Sequence, residues 1–84
     1  KPQKYVRAIL VHRKLRETQI LDCLDKGTTN ISDMVARLYK GLDERLIGAA
    51  RHSVFSHIID LSNRGVIQAN GDIDIAAEYK RVSS

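Results

Sequence analysis

The sequence predicts a mainly α fold with a small β-hairpin: a winged helix-turn-helix of three helices plus a C-terminal wing. Three observations carry this. Apolar residues recur at helical spacing through three stretches separated near Gly27 and Gly41. The period changes after Gly65, where Val66-Ile67-Gln68-Ala69 reads as a strand. Asn70-Gly71 follows, the dipeptide that most strongly favours a tight hairpin turn. With 84 residues there is room for one domain and not two. A chain this short buries only about 60–65% of the surface it exposes unfolded, so its stability margin is modest.

Helix 1 is expected from about Tyr5 to Lys26, since Pro2 marks a non-helical start and no Gly or Pro intervenes. It carries two apolar patches. Ile20, Leu21 and Leu24 should face this domain's core, whereas Tyr5, Val6, Ile9 and Leu10 project beyond it and need another partner. The polar run His12 to Arg16 lies between them. Gly27 closes the helix, and Asn30 or Ser32 caps helix 2, with Asp33 near its positive end. Helix 2 should run to about Lys40 and bury Met34, Val35, Leu38 and Tyr39; Ile31 could make one short strand contact before it. Asp43 starts helix 3. Gly48 inside it predicts a break or a close crossing, with the helix resuming at Ala49. Ala50, Val54, His57/Ile58 and Leu61 form its inward stripe, and Gly65 ends it. Ile73 to Val82 is the expected return strand, with Ile73, Ile75, Ala77 and Tyr79 on one face. The expected divisions are therefore a basic helix or linker over 1–16, a three-helix core over 17–65 and the hairpin wing over 66–82.

Charge is localised. The net charge is +4, yet residues 1–16 hold Lys1, Lys4, Arg7, Arg13, Lys14 and Arg16 and no acid, while the remainder carries 8 bases against 10 acids. Such a segment suits an anionic partner such as nucleic acid, or equally a solvated helix docking on an acidic neighbour. No apolar run approaches the length needed to cross a bilayer, so a membrane partner is not expected. A single cysteine, Cys23, excludes an internal disulfide and fits a reducing, cytoplasmic setting. The chain begins at Lys1 rather than Met and is expected to be a piece of something longer.

Chemistry is sparse. His52 and His57 lie five apart, roughly 140° around a helix, and cannot share one metal. There is no His-Glu-x-x-His and no paired cysteine. His57 is expected as a hydrogen-bonded core histidine, His52 as an exposed one, and Cys23 as a small buried hydrophobe. Ser53 and Ser56 sit within a helix and not on a strained elbow. No catalytic or metal-binding residue is expected here. In winged helices that read DNA, the third helix enters the major groove. Its outward positions here are Arg51, His52, Phe55, Ser56, Ile59, Asp60 and Asn63, and the wing carries Asp72 and Asp74, which repel phosphate. Phe55 and Ile59 look like an interface pair, unless they pack on helix 1.

One set of residues points further. His12-Arg13, Arg16-Glu17, Gln19-Ile20-Leu21, Leu38-Tyr39, Leu42-Asp43, Arg45-Leu46, Ala49-Ala50, Ser53-Val54, His57-Ile58, Leu61 and Gly65 together resemble the winged helix found at the C-terminus of many metallo-β-lactamase-fold hydrolases. That group includes the glyoxalase-II-like and lactamase-beta-like enzymes. The resemblance covers roughly residues 8–67. Where the family usually has Pro after the tyrosine and after the aspartate, this chain has Lys40 and Glu44, both in turns. The resemblance implies a parent hydrolase with zinc on a His-x-His-x-Asp-His motif in an upstream domain. It also implies an accessory role here: packing on that domain and helping to shape its substrate cleft. No cofactor is then expected in this domain itself. Tyr5, Val6, Ile9, Leu10, Phe55 and Ile59 are the expected interdomain contacts; in an isolated fragment the helix 1 patch would be exposed or buried in a dimer. Lys4, Arg7, Arg13, Lys14, Arg16, Arg51 and His52 are the expected contacts to substrate or, in the alternative reading, to RNA or DNA. That alternative is a nucleic-acid-binding module, either the RNA-gripping part of a nuclease or a fragment of a transcription factor.

Overall fold

Helix α1 spans Pro2–Asp25, α2 spans Ile31–Leu38 and α3 spans Glu44–Asn63, followed by strands β1 (Ile67–Ala69) and β2 (Tyr79–Arg81). This computed structural model describes the backbone of residues 2–82 and the side chains of residues 12–82. Pro2 lies inside α1 and not before it. Proline suits the first turn of a helix, where its missing N–H has no intrahelical partner to lose.

The ends of the helices follow their local chemistry. After α1, Thr28 N–H donates to the Cys23 carbonyl (2.8 Å) and Gly27 N–H to that of Leu24 (3.1 Å), with Gly27 at φ +89°. Val66 and Gly65 repeat that pattern on Leu61 and Ser62 after α3, with Gly65 at φ +75°. Both are left-handed glycine caps that satisfy terminal carbonyls. Asn30 is the N-cap of α2: its Oδ1 accepts from the Asp33 N–H (2.8 Å) and its Nδ2 donates to Asp33 Oδ2 (2.9 Å). Helix α2 stops at Leu38, two residues short of expectation, because Tyr39 leaves helical geometry at φ −122°, ψ 52°. Asp43 caps α3 through the Arg45 N–H.

One core joins the elements. Ile20 and Cys23 of α1, Ile31, Met34 and Val35 of α2, Ala50, Val54, Ile58 and Leu61 of α3, then Ile67 and Tyr79 of the wing are all buried. Leu21, Leu24, Leu38, Tyr39 and Phe55 pack partly against them. The apolar patch at Ile20, Leu21 and Leu24 thus serves the core as expected. So does Cys23, whose thiol is pushed up from its usual range chiefly by burial.

Three expectations are corrected. Gly48 neither breaks nor crosses anything: α3 is continuous through it, and a Cβ there would meet nothing within 4 Å. The contact ahead of α2 is made by Asn30, which bridges Glu78, and not by Ile31, which is already helical and buried. The wing is not a two-residue hairpin. Ala69 pairs with Tyr79 and Ile67 with Arg81, so residues 70–78 form the connection and the strand expected over 73–82 shrinks to 79–81. The cause is a local turn. Ala77 N–H donates to the Asp74 carbonyl (3.1 Å), and the Tyr79 hydroxyl donates to that same carbonyl. Tyr79, fully inside the core, thereby ties the connection down, and Ile73 is left outside at 48% exposure.

Because Gly48 sits in an uninterrupted helix with open space around it, Gly48→Ala should raise the unfolding free energy by about 0.5–1 kcal/mol. Urea denaturation of both proteins measures this; a loss of stability would mean that the glycine answers a constraint the helix does not show.

Candidate functional site

The side of α1 that flanks its buried edge meets one flank of α3. Along α3, Ala50, Val54, Ile58 and Leu61 turn into the core, and Ser53 and His57, four apart, rise beside them towards α1. Against them stand His12, Arg13, Leu15, Arg16 and Gln19 of α1, with Tyr39 from the end of α2. These eight residues line an open cleft of about 310 Å³.

Arg16 is held in place within it. Its guanidinium lies 4.4 Å from the centroid of the Tyr39 ring, and its Nη1 donates to Gln19 Oε1 at 2.9 Å. Stacking on an aromatic face suits the flat guanidinium and leaves its edge open to an acceptor. Among the described residues, no acid lines the cleft. The two acids whose charge reaches His57 are both paired: Arg64 Nη2 contacts Glu17 Oε2 at 2.7 Å and Asp60 Oδ2 at 3.0 Å. That three-charge contact ties α1 to the last turn of α3. Arg13, Lys14, Glu17, Asp60 and Arg64 line the shallower neighbouring groove, so Arg13 borders both.

His57 corrects an expectation. It is a half-buried wall of the cleft and not a hydrogen-bonded member of the core. Its pKa is pushed below the usual imidazole range, first by burial and then by the Arg13 and Arg16 charges, against the opposing pull of Glu17 and Asp60.

Of the other expected substrate or nucleic-acid contacts, the described ones, Lys14, Arg51 and His52, do not line the cleft. Lys14 borders the neighbouring groove. Arg51 and His52 are exposed on α3, successive residues about 100° apart around the helix, and neither lines the cleft. Phe55 and Ile59 are not an outward pair: Phe55 packs on the core, while Ile59 stays 38% exposed. The side chains of Lys4, Tyr5, Val6, Arg7, Ile9 and Leu10 lie outside the described residues. Among the described residues, no group of three or more His, Cys, Asp or Glu could hold a metal ion, and no helix is long and apolar enough to cross a membrane.

Sequence reasoning missed the cleft as a unit, passing over Gln19, Tyr39, Ser53 and His57 as site residues. A signal existed. His12, Arg13, Arg16, Gln19, Tyr39, Ser53 and His57 all belong to the residues that carry the resemblance, and here they share one wall-to-wall surface.

The architecture of three helices with a two-stranded antiparallel wing defines a winged-helix domain. The family model of the β-lactamase-associated winged helix domain matches residues 31–77, more than half of the chain, and the chain belongs to that family. No curated protein matches it.

His57 should make stability depend on pH. Its folded pKa is depressed, so the unfolded chain takes up the proton more readily. The associated stability is full above about pH 6.5, the unperturbed value, and is lost as pH falls from there towards the depressed value. Urea midpoints at pH 7.5 and 5 should therefore separate less in His57→Gln than in the wild type. An equal separation would show that His57 titrates normally.

Proposed function

We propose that the chain is the accessory C-terminal domain of a cytoplasmic, zinc-dependent metallo-β-lactamase-fold hydrolase, packed on the catalytic domain and completing one side of its substrate cleft. The observation that carries this reading is that Tyr39, Ser53 and His57, within the matched residues 31–77, converge on one concave surface with His12, Arg13, Arg16 and Gln19 of α1. The place of His12, Arg13, Arg16 and Gln19 on α1 supports the reading too, because α1 is the element through which a domain upstream would connect. Leu15, at 54% exposure on the cleft rim, and Leu46, at 52% on the first turn of α3, are apolar surface of the kind that a neighbouring domain covers. Zinc is assigned wholly to the upstream domain, and these residues' part is to orient substrate and exclude water.

A second reading, nucleic-acid binding, is favoured by the concentration of Lys4, Arg7, Arg13, Lys14 and Arg16 on one helix. It predicts retention of RNA or duplex DNA that weakens steeply with salt. The exposed acids Asp72, Asp74 and Glu78 on the wing connection weigh against duplex binding through the wing.

In the full-length protein, Arg16→Gln and Tyr39→Ala should lower kcat/KM by about tenfold while zinc content stays at the wild-type level. Unchanged kcat/KM and substrate range in both variants would refute the substrate-facing role. Loss of zinc would place the defect in folding or assembly and contradict it equally.

A further inference from the structure

We infer that the α1–α3 cleft binds a phosphoryl group, held between Arg13 and Arg16 on one wall and Ser53 and His57 on the other. The inference deepens the substrate-facing reading and relies on it only for where the phosphoryl group comes from, a phosphorylated substrate of the parent enzyme.

Composition is the first argument. Two guanidiniums, two imidazoles, two hydroxyls and an amide line the cleft, and among the described residues no carboxylate does. Among the described residues, Arg45, Arg64 and Arg81 are each paired with a carboxylate, whereas Arg13, Arg16, Arg37 and Arg51 are not, and of these four only Arg13 and Arg16 line the cleft. Arg64 engages both Glu17 and Asp60, the two acids whose charge reaches His57.

Geometry is the second. Arg16 is already ordered by the Tyr39 ring and Gln19, so an anion need not freeze a loose side chain to bind it. Ordered guanidinium groups favour oxyanions that accept two parallel N–H bonds. The cleft volume, about 310 Å³, is at the small end of ligand sites and suits a compact headgroup.

Charge selects the anion. Two permanent positive charges match a dianion better than a single carboxylate. His57 adds to this. Facing it are Arg13, Arg16, Glu17 and His12 of α1, Ser53 and Asp60 of α3, and Tyr39 at the end of α2. Without an anion, burial and then the two arginines disfavour the charged imidazole. A dianion placed between them offsets that repulsion, so binding is accompanied by proton uptake at His57 and tightens as pH falls.

The test is a titration of the 84-residue chain with inorganic phosphate at constant ionic strength, followed by NMR of the histidine rings and the backbone amides. Sulfate, whose charge does not change in this range, serves for the pH arm. Saturable shifts are expected at His57 and Ser53, with a rise in the His57 pKa when sulfate is bound. Arg16→Gln and Arg13→Gln should each weaken binding by about tenfold, and Arg51→Gln, off the cleft, by less than about twofold. The core methyl signals of Val54 and Ile58 report that each variant is folded. If one variant loses them, the other carries the comparison. Shifts that never saturate, a His57 pKa that sulfate leaves unmoved, or equal losses in Arg51→Gln and Arg16→Gln would overturn the assignment. If phosphate fails to bind while Arg16→Gln still impairs full-length turnover, the substrate-facing role stands and the phosphoryl group falls.

Discussion

The seating of the last two turns of α1 in the core is the constraint on which the rest of the molecule depends. Ile20 and Cys23 are buried against the stripe that α3 presents through Val54, Ile58 and Leu61. Burying side chains of this kind stabilises by about 1.5–3 kcal/mol each, a large share of the margin a domain this small can have. Once Ile20 is fixed, helical geometry fixes Arg16 and His12, one and two turns upstream, beside Ser53 and His57. A single packing event therefore both closes the core and assembles the cleft.

Electrostatics completes what packing begins. Arg64 is the last residue of the α3 cap region, yet it reaches back to Glu17 of α1 as well as to Asp60 one turn before it. All three groups are partly solvent-exposed, so the contact adds little stability. Its consequence is distribution: the negative charge of that edge is gathered at one end, and the surface lined by Arg13, Arg16 and His57 stays positive. Burial and this positive field both favour the neutral imidazole at His57.

Most of the fold was legible in the sequence because its signals are local. Gly27 and Gly65 needed left-handed geometry, Asn30 could cap α2 through its own side chain, and the Ala50–Val54–Ile58–Leu61 stripe has helical spacing. The errors arose where a local rule met a tertiary demand. Asn70-Gly71 favours a two-residue turn, but the burial of Tyr79 and its hydroxyl bond to Asp74 set a register that a tight turn cannot reach. Gly48 is weak for a helix, and the helix continues because its ends are capped and its inner face is buried. The cleft was harder to see. It joins residues from three elements, and period alone assigns His57 to the core. Only the packing angle between α1 and α3 decides that it opens to an edge.

Membership in the β-lactamase-associated winged-helix family and an edge of positive, ordered side chains are consistent with a domain whose work is done against another. The proposed role beside a hydrolase domain is measured most directly by a crystal structure of the full-length protein with reaction product bound. The account predicts that Arg16 and His57 face the product across the domain boundary, with the Arg16 guanidinium about 3 Å from an anionic oxygen. A structure in which both side chains point to open solvent, away from the proposed catalytic domain, would contradict it.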